Sequence, residues 1–326
     1  MNKSSAIVLC LAFAALAGAA VAAPLNRNIV SGKANWVAHL DLEKLNQTEI
    51  GRMIRAQLNE TGDAAKLDQF KTIASFHPLD DIRNVTIYGR GKDKANAVAI
   101  FEAAFNKDTL LGLLRLNAAF SETAYGSHMI RSWIDDKHNG DESLRQYGSF
   151  HGDDRVVIAS SLEAVKHSLD VLDGKAESAR TQRQFRLMRR AAVENAFLVA
   201  AADGVGEMAQ QWERTIMLKN TEQSSLIAGE TEGKLFVELN LLAVSEETAK
   251  ELMQMTQGVI AMLNLAGKDQ PQLAALARAI NVTTRKNLLR VRFETEAASV
   301  ADFIKVEWNK KRLNVNVTAS SSSADK

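Results

Sequence analysis

Cysteine is all but missing: the 326-residue chain has one, Cys10. Cys10 lies in a leader-like segment, so disulfides, zinc–thiolate sites, iron–sulfur clusters and thiol nucleophiles are excluded from the remainder. Proline is scarce, three in all, which leaves no room for a proline-rich linker or a disordered body. An excess of charge of one sign is lacking too: 40 Lys and Arg stand against 39 Asp and Glu. That balance argues against nucleic acid as a partner, since a dedicated binder carries a basic surplus. Long hydrophobic runs are absent except at the start, where Ala6 to Leu16 is shorter than the roughly 20 apolar residues a membrane span needs.

What the start does have is the build of a secretory signal peptide. Lys3 gives the positive end, the apolar run follows, and Ala20-Val21-Ala22 fits the small-x-small cleavage pattern. Removing the first 22 of 326 residues leaves 304, formally neutral once Lys3 is gone. The expected location is therefore outside the cytoplasm, periplasmic or extracellular. A body of that length with 46% hydrophobic residues over the whole chain is long enough for two ordinary cores.

Residue patterning predicts an α+β fold in two tandem related halves, each an antiparallel sheet with helices packed on one face. The expected organisation is a signal peptide over 1–22, a first half over 26–175, a charged connecting helix over 176–194, a second half over 195–312, and a polar, disordered tail over 313–326. Trp36 to Leu42 alternates as a strand, and Asn46 with Glu49 has capping-box spacing for a following helix. A further helix is predicted near Asp63 to Ala74, ended by Pro78. A hairpin follows over 84–103, then a helix capped by Asn106, with Phe105 and Leu110 stapled across the cap. Strands are expected over 128–134, 144–151 and 155–159, then a helix capped by Ser160 and stopped at Gly174. The repeat rests on three matched stretches: Val37 to Asp41 with Val199 to Asp203, Val98 to Asn106 with Val237 to Ser245, and Val156 to Leu169 with Val291 to Ile304. One continuous curved sheet is the alternative arrangement.

Several turns and strands also resemble a pattern in exported proteins of envelope-rich bacteria. They are His77-Pro78-Leu79-Asp80-Asp81-Ile82, Val85-Thr86-Ile87-Tyr88-Gly89, Tyr125-Gly126-Ser127-His128 and Asp153 to Ala159. The resemblance covers mainly residues 76–174 and implies export from a bacterium, with no activity attached.

Chemistry-bearing motifs are few. The six histidines, His39, His77, His128, His138, His151 and His167, include no i, i+4 pair, and neither H-E-x-x-H nor G-x-S-x-G occurs. No catalytic residue, metal site or cofactor is expected; His39, Asp41 and His128 are the only side chains offered to a hydrolase reading. Asp135 to Glu142 fails as a calcium loop, because Lys137 stands where an oxygen ligand is required and Gln146 where a bidentate carboxylate is. Arg180, Arg183, Arg186, Arg189 and Arg190 form a basic stretch, a candidate anion contact within a solvated helix. Two helices are apolar nearly all round, one with Leu110 to Leu116 and one with Leu252 to Leu265. Such helices are buried or meet a second partner. Leu113, Leu116, Met255, Val259 and Met262 are thus candidates to line an apolar-ligand cavity or an interface, and all five are expected to be buried. Together these features point to an exported, non-enzymatic binding or structural module. The alternatives are a periplasmic carrier of a lipid-like ligand and a hydrolase without a recognisable motif. No partner is identified, with a lipid, an envelope protein or a second copy as candidates.

Overall fold

Strand β1, Trp36–Asp41, buries Val37 on one side and Leu40 on the other, so it belongs in the middle of a sheet with both faces covered. A computed structural model describes residues 25–134, 144–180, 185, 187, 196–209, 218–267 and 270–306 of the chain. In it β1 pairs antiparallel with β2, Ile82–Gly89, and with β8, Ala196–Asp203. Small side chains serve the second pairing: Ala38 lies opposite Ala200, and Val37 opposite Ala201. Trp36 lies opposite Gly89, where an added Cβ would come within 2.5 Å of the indole. Any side chain there would displace the ring, whose Nε1 donates to the Gly91 carbonyl at 2.9 Å.

The remaining strands are β3 (Val98–Ala103), β4 (Ser121–Tyr125), β5 (His128–Trp133), β6 (Gln146–His151) and β7 (Arg155–Ala159), then β9 (Thr221–Thr231), β10 (Lys234–Ala243), β11 (Ile280–Arg285) and β12 (Leu288–Glu296). All join one 12-stranded antiparallel sheet, ordered β11-β12-β10-β9-β8-β1-β2-β3-β7-β6-β5-β4. The α+β class is thus as the sequence predicts, and the sheet is continuous across its middle. Outward from the junction, β1-β2-β3-β7-β6 and β8-β9-β10-β12-β11 follow the same order of connections. The β4–β5 hairpin extends the first series only, turning through Gly126 at φ 56°. Its second strand, β5, lies where the sequence predicts one, but β4 carries no sequence signal: it is an edge strand with four of five residues exposed, so no alternation marks it.

Helices α1 (Leu42–Gln47), α2 (Glu49–Thr61), α3 (Asp63–Ala74) and the single turn α4 (Pro78–Asp81) connect β1 to β2. Leu42, Leu45, Ile50 and Phe76 from this connection pack with Leu40, Val85 and Leu235 on one face of the sheet. The helical segment 297–306, labelled α10 below, joins the same cluster through Val300 and Ala301, and Lys305 reaches Glu60 of α2 at 3.0 Å. Helix α6, Leu162–Leu172, lies on the opposite face, where Val165 and Leu169 meet Val37, Ile100, Ile130 and Val157. Accordingly, the helices that follow β7 and β12 pack on opposite faces, although Val165 and Leu169 match Val300 and Ile304 in sequence.

Some expected boundaries move. Thr48, not Asn46, caps α2, its Oγ1 accepting from the Gly51 N–H at 2.9 Å; Asn46 sits in α1 and accepts from Arg55. Ser161 caps α6, because the Ser160 hydroxyl donates to the Lys94 carbonyl at 3.1 Å. Pro78 opens a helical turn rather than closing one, as its fixed φ and missing N–H suit the first position. Gly174 does stop α6, with φ 73°. Within the expected connecting helix, Ser178 forms a bridge with Ser31 and Ala179 donates to Val30, so 178–180 is a bridge and turn. Much of 181–195, the predicted Asn139-Gly140 turn and the leader lie outside the described residues.

One ionic network ties three strands together. Glu102 of β3 accepts from Asn84 of β2 at 2.9 Å and from Arg155 of β7 at 2.7 Å. Burial pushes its carboxyl upward, but those two hydrogen bonds and the charges of Arg155 and Arg83 outweigh burial and leave it below the usual value. A depressed carboxylate stabilises the fold above its unfolded value of about 4.3 and loses that contribution as pH falls through its folded value. Glu102→Gln is therefore expected to lower stability by about 1–3 kcal/mol at pH 7. It should also flatten the loss of stability from pH 5 downward, as read from urea denaturation at each pH.

Candidate functional site

Helix α5, Lys107–Leu114, leaves β3 through Asn106, whose side chain accepts from the Thr109 N–H at 3.0 Å. The expected cap is therefore in place, and Phe105 and Leu110 flank it. None of the α5 residues is buried. The helix stands off the sheet, and the space beneath it is an open apolar groove of about 560 Å³. Its floor is Phe101, Val156 and Ile158 of β3 and β7; Leu110, Leu113 and Leu114 of α5 form one wall. Phe70, Phe76 and Pro78 close one side, and Trp133, Gly148 and Phe150 of β5 and β6 the other.

Aromatic contacts hold this lining in shape. Phe76 stacks on Phe105 with centroids 5.4 Å apart, and Phe105 meets Phe150 edge-on at 6.1 Å. Arg131 lies over Phe150 at 5.8 Å and donates to Glu122 at 3.1 Å, so the one cationic wall residue is already paired. At Gly148 an added Cβ would come within 3.0 Å of Trp133, so the missing side chain lets the indole approach β6 closely. Apart from Arg131, Asn117 and Ser149, every lining side chain is apolar or absent.

The five apolar candidates do not form one site, and, against expectation, none of them is buried. Leu113 is half-buried in the groove wall, whereas Leu116, past the end of α5, is 81% exposed at its mouth. Met255, Val259 and Met262 lie on α8, Glu246–Ala266, and are 43%, 49% and 71% exposed. The reason is length: 21 residues make a helix of about 31 Å. Only its first turns, through Ala249 and Leu252, reach Leu241, Ala243 and Leu289. Further along, the neighbour is α9, Pro271–Arg278, approaching so closely that a Cβ on Gly267 would come within 2.5 Å of Ala274. In the sheet order, α8 packs on β10, β12 and β11, far along the same face from the groove.

The polar candidates are dispersed as well. His39 is buried, with Nδ1 at 2.9 Å from Thr86 Oγ1, and Asp41 caps α1 by accepting from the Lys44 N–H at 2.9 Å. His128 instead faces Asp173, so no His–Asp–nucleophile set assembles from the three. A contact not legible in the sequence is Ser31 Oγ to His167 Nε2 at 2.8 Å, beside a pocket of about 240 Å³. Burial pushes His167 downward, with the charge of Lys33 adding to it. Ser31 is only 3% exposed, and no carboxylate is seen to orient His167 as a third member of a set among the described contacts. Arg180 is exposed in its turn, while Arg183, Arg186 and Arg190 lie outside the described residues.

A single antiparallel sheet with helices on both faces and an open apolar groove among the described residues defines the chain as an α+β protein built around a sheet-and-helix cleft. Solved structures share that architecture: crystal form III of TP0453 aligns with TM-score 0.52 at 10% identity, covering 86% of this chain and 97% of that one. Crystal form I of TP0453 aligns with TM-score 0.50 at 11% identity over the same shares. At such identities the likeness concerns the fold alone. No family model matches the chain, and no curated protein matches it. Among the described residues no helix is long and apolar enough to cross a membrane.

Because the groove is open, truncating its wall leaves little new cavity. Leu113→Ala is expected to cost about 1 kcal/mol or less, against roughly 2–5 for Leu169→Ala in the packed interior under α6. Leu116→Asp should stay within about 0.5 kcal/mol of the parent. Urea denaturation of the three variants checks the ranking.

Proposed function

We propose that the protein is an exported, non-enzymatic binding module of the bacterial envelope, and that the groove beneath α5 holds an acyl-type chain. The observation that carries this reading is the groove itself, about 560 Å³ and lined almost wholly by apolar side chains. That volume falls in the usual range for small-molecule sites. The leader-like start supports export. The carrier reading gains over a purely structural one because α5 is held off a floor it would otherwise cover.

Magnitudes favour a modest affinity. About 14 buried methylenes would contribute roughly 11 kcal/mol at ~0.8 each. Association costs of ~4 kcal/mol or more leave binding of about 10 μM at best. The likeness of strand order on the two sides of β1–β8 supports a tandem duplication, with halves over 26–175 and 195–312. Matched caps add to it: Asn106 accepts from Thr109 and Ser245 from Thr248, each at 3.0 Å. In this reading the groove belongs to the first half, since the unmatched β4–β5 hairpin supplies one of its walls.

The test is to purify the chain natively, extract it for mass spectrometry, and titrate it with a fluorescent fatty acid. A co-purified lipid, or saturable binding that Leu113→Asp weakens about tenfold or more, is expected, because a carboxylate on the wall loses its hydration when the chain enters. No lipid together with probe binding indifferent to Leu113→Asp would return the protein to the structural-module reading.

A further inference from the structure

On the face opposite the groove, the extra hairpin meets the end of α6. Tyr125 of β4 donates to Asp170 at 2.8 Å and sets the hairpin against the helix. His128 follows the Gly126 turn at the start of β5, His151 ends β6, and Asp173 is the C-cap residue of α6. Three separate elements thereby bring two imidazoles to one carboxylate. His128 Nε2 lies 3.0 Å from Asp173 Oδ2, and His151 Nε2 lies 3.2 Å from Asp173 Oδ1. The rings stack with centroids 5.5 Å apart at 27°, and the candidate donor atoms all lie within 4.8 Å of one another. All three side chains are largely shielded, at 12%, 19% and 17% exposure.

We propose that His128, His151 and Asp173 form a binding site for a divalent transition-metal ion, zinc foremost. Zinc bonds to nitrogen and oxygen of about 2.0–2.2 Å in a tetrahedron put neighbouring donors roughly 3.3 Å apart. The carboxylate-to-imidazole distances are already close to that, and the two imidazole donors, within 4.8 Å of each other, need only draw together around the ion. Two imidazoles and one carboxylate suit zinc, and a fourth position stays open for water. His151 Nδ1 has no hydrogen-bond partner among the described residues. Ligation through Nε2 places the proton on Nδ1, where no acceptor stands among the described residues, so the bonds to the ion must outweigh one unsatisfied N–H. Lys175 is the obstacle: its Nζ lies 2.8 Å from Asp173 Oδ2. Its side chain is 58% exposed, so the ammonium can leave to solvent when a cation takes its place. A bound ion would join β5 and β6 to the end of α6, and so hold the hairpin that walls the groove on the other face.

Lys175 makes the inference sharply testable, because it competes with the ion without being a ligand. Zinc chloride is titrated into the tag-free chain by calorimetry, and the affinity is confirmed by competition with a chromophoric chelator. One zinc per chain is expected. His128→Ala, His151→Ala and Asp173→Asn should each weaken it by about tenfold or more, with unchanged circular dichroism. Lys175→Met should tighten binding several-fold, a gain that no loss of folding can mimic. Absence of binding in the parent chain overturns the proposal. So does zinc affinity that the histidine variants leave intact, or that Lys175→Met fails to raise.

Discussion

The pairing of β1 with β8 is the constraint on which the rest of the structure depends. It spans Trp36 to Leu40 against Ala202 to Leu198 and, among the described residues, is the only strand contact between the two sides of the sheet. Without it each side would carry a long unpaired edge, with its row of free backbone donors and acceptors. Alanines at 200, 201 and 202 make the junction slim enough for both faces to be covered. Those faces then receive α1, α2 and α10 on one side and α6 on the other. A helix from after β12 can consequently pack beside α2, which comes from before β2, because the joined sheet gives them a common floor.

Continuity of the sheet also decides where apolar surface is left over. The face under α1 and α2 is filled by α1, α2 and α10, whose side chains join one cluster with Leu40 and Val85. Toward the β4 edge that supply ends, and α5 spans the gap without descending into it. The β4–β5 hairpin widens the sheet beyond what the neighbouring helices cover, and its Trp133 becomes a wall where a packed core would otherwise close. At the β11 edge the same shortage appears in another form: α8 is longer than the floor beneath it, and Met262 and Leu265 project past its last contact with the sheet.

The hairpin has two faces and two consequences. Arg131 and Trp133 point to the groove, while His128 and Ile130 point to α6, as strand alternation requires. Asp173 concentrates the charge on that second side. Hydrogen bonds from Lys175 and His128 hold its carboxyl well below the usual carboxylate range, so it stays ionised at any ordinary pH. The groove and the histidine cluster are thus attached to the same small insertion, from opposite sides of one strand pair.

Strand alternation at Trp36 to Asp41, the Asn106 cap, the Gly174 stop and the antiparallel α+β class were legible in the sequence, because each depends on neighbours within a few residues. The apolar character of α5 and α8 was legible too, but not its consequence. Periodicity says that a helix has more apolar surface than one face can hide; it says nothing about whether a second layer exists to hide it. That was decided by the length of α8 against the width of the sheet, and by a hairpin whose exposed edge strand left no pattern to read. The approach of His128, His151 and Asp173 lay equally beyond local rules, since 23 and 22 residues separate them along the chain and only the register of β5 on β6 and the end of α6 bring them together. Sequence determined the elements and their caps through short-range sterics and hydrogen bonding; tertiary structure alone decided which apolar faces went uncovered, because coverage depends on strand order across the whole sheet.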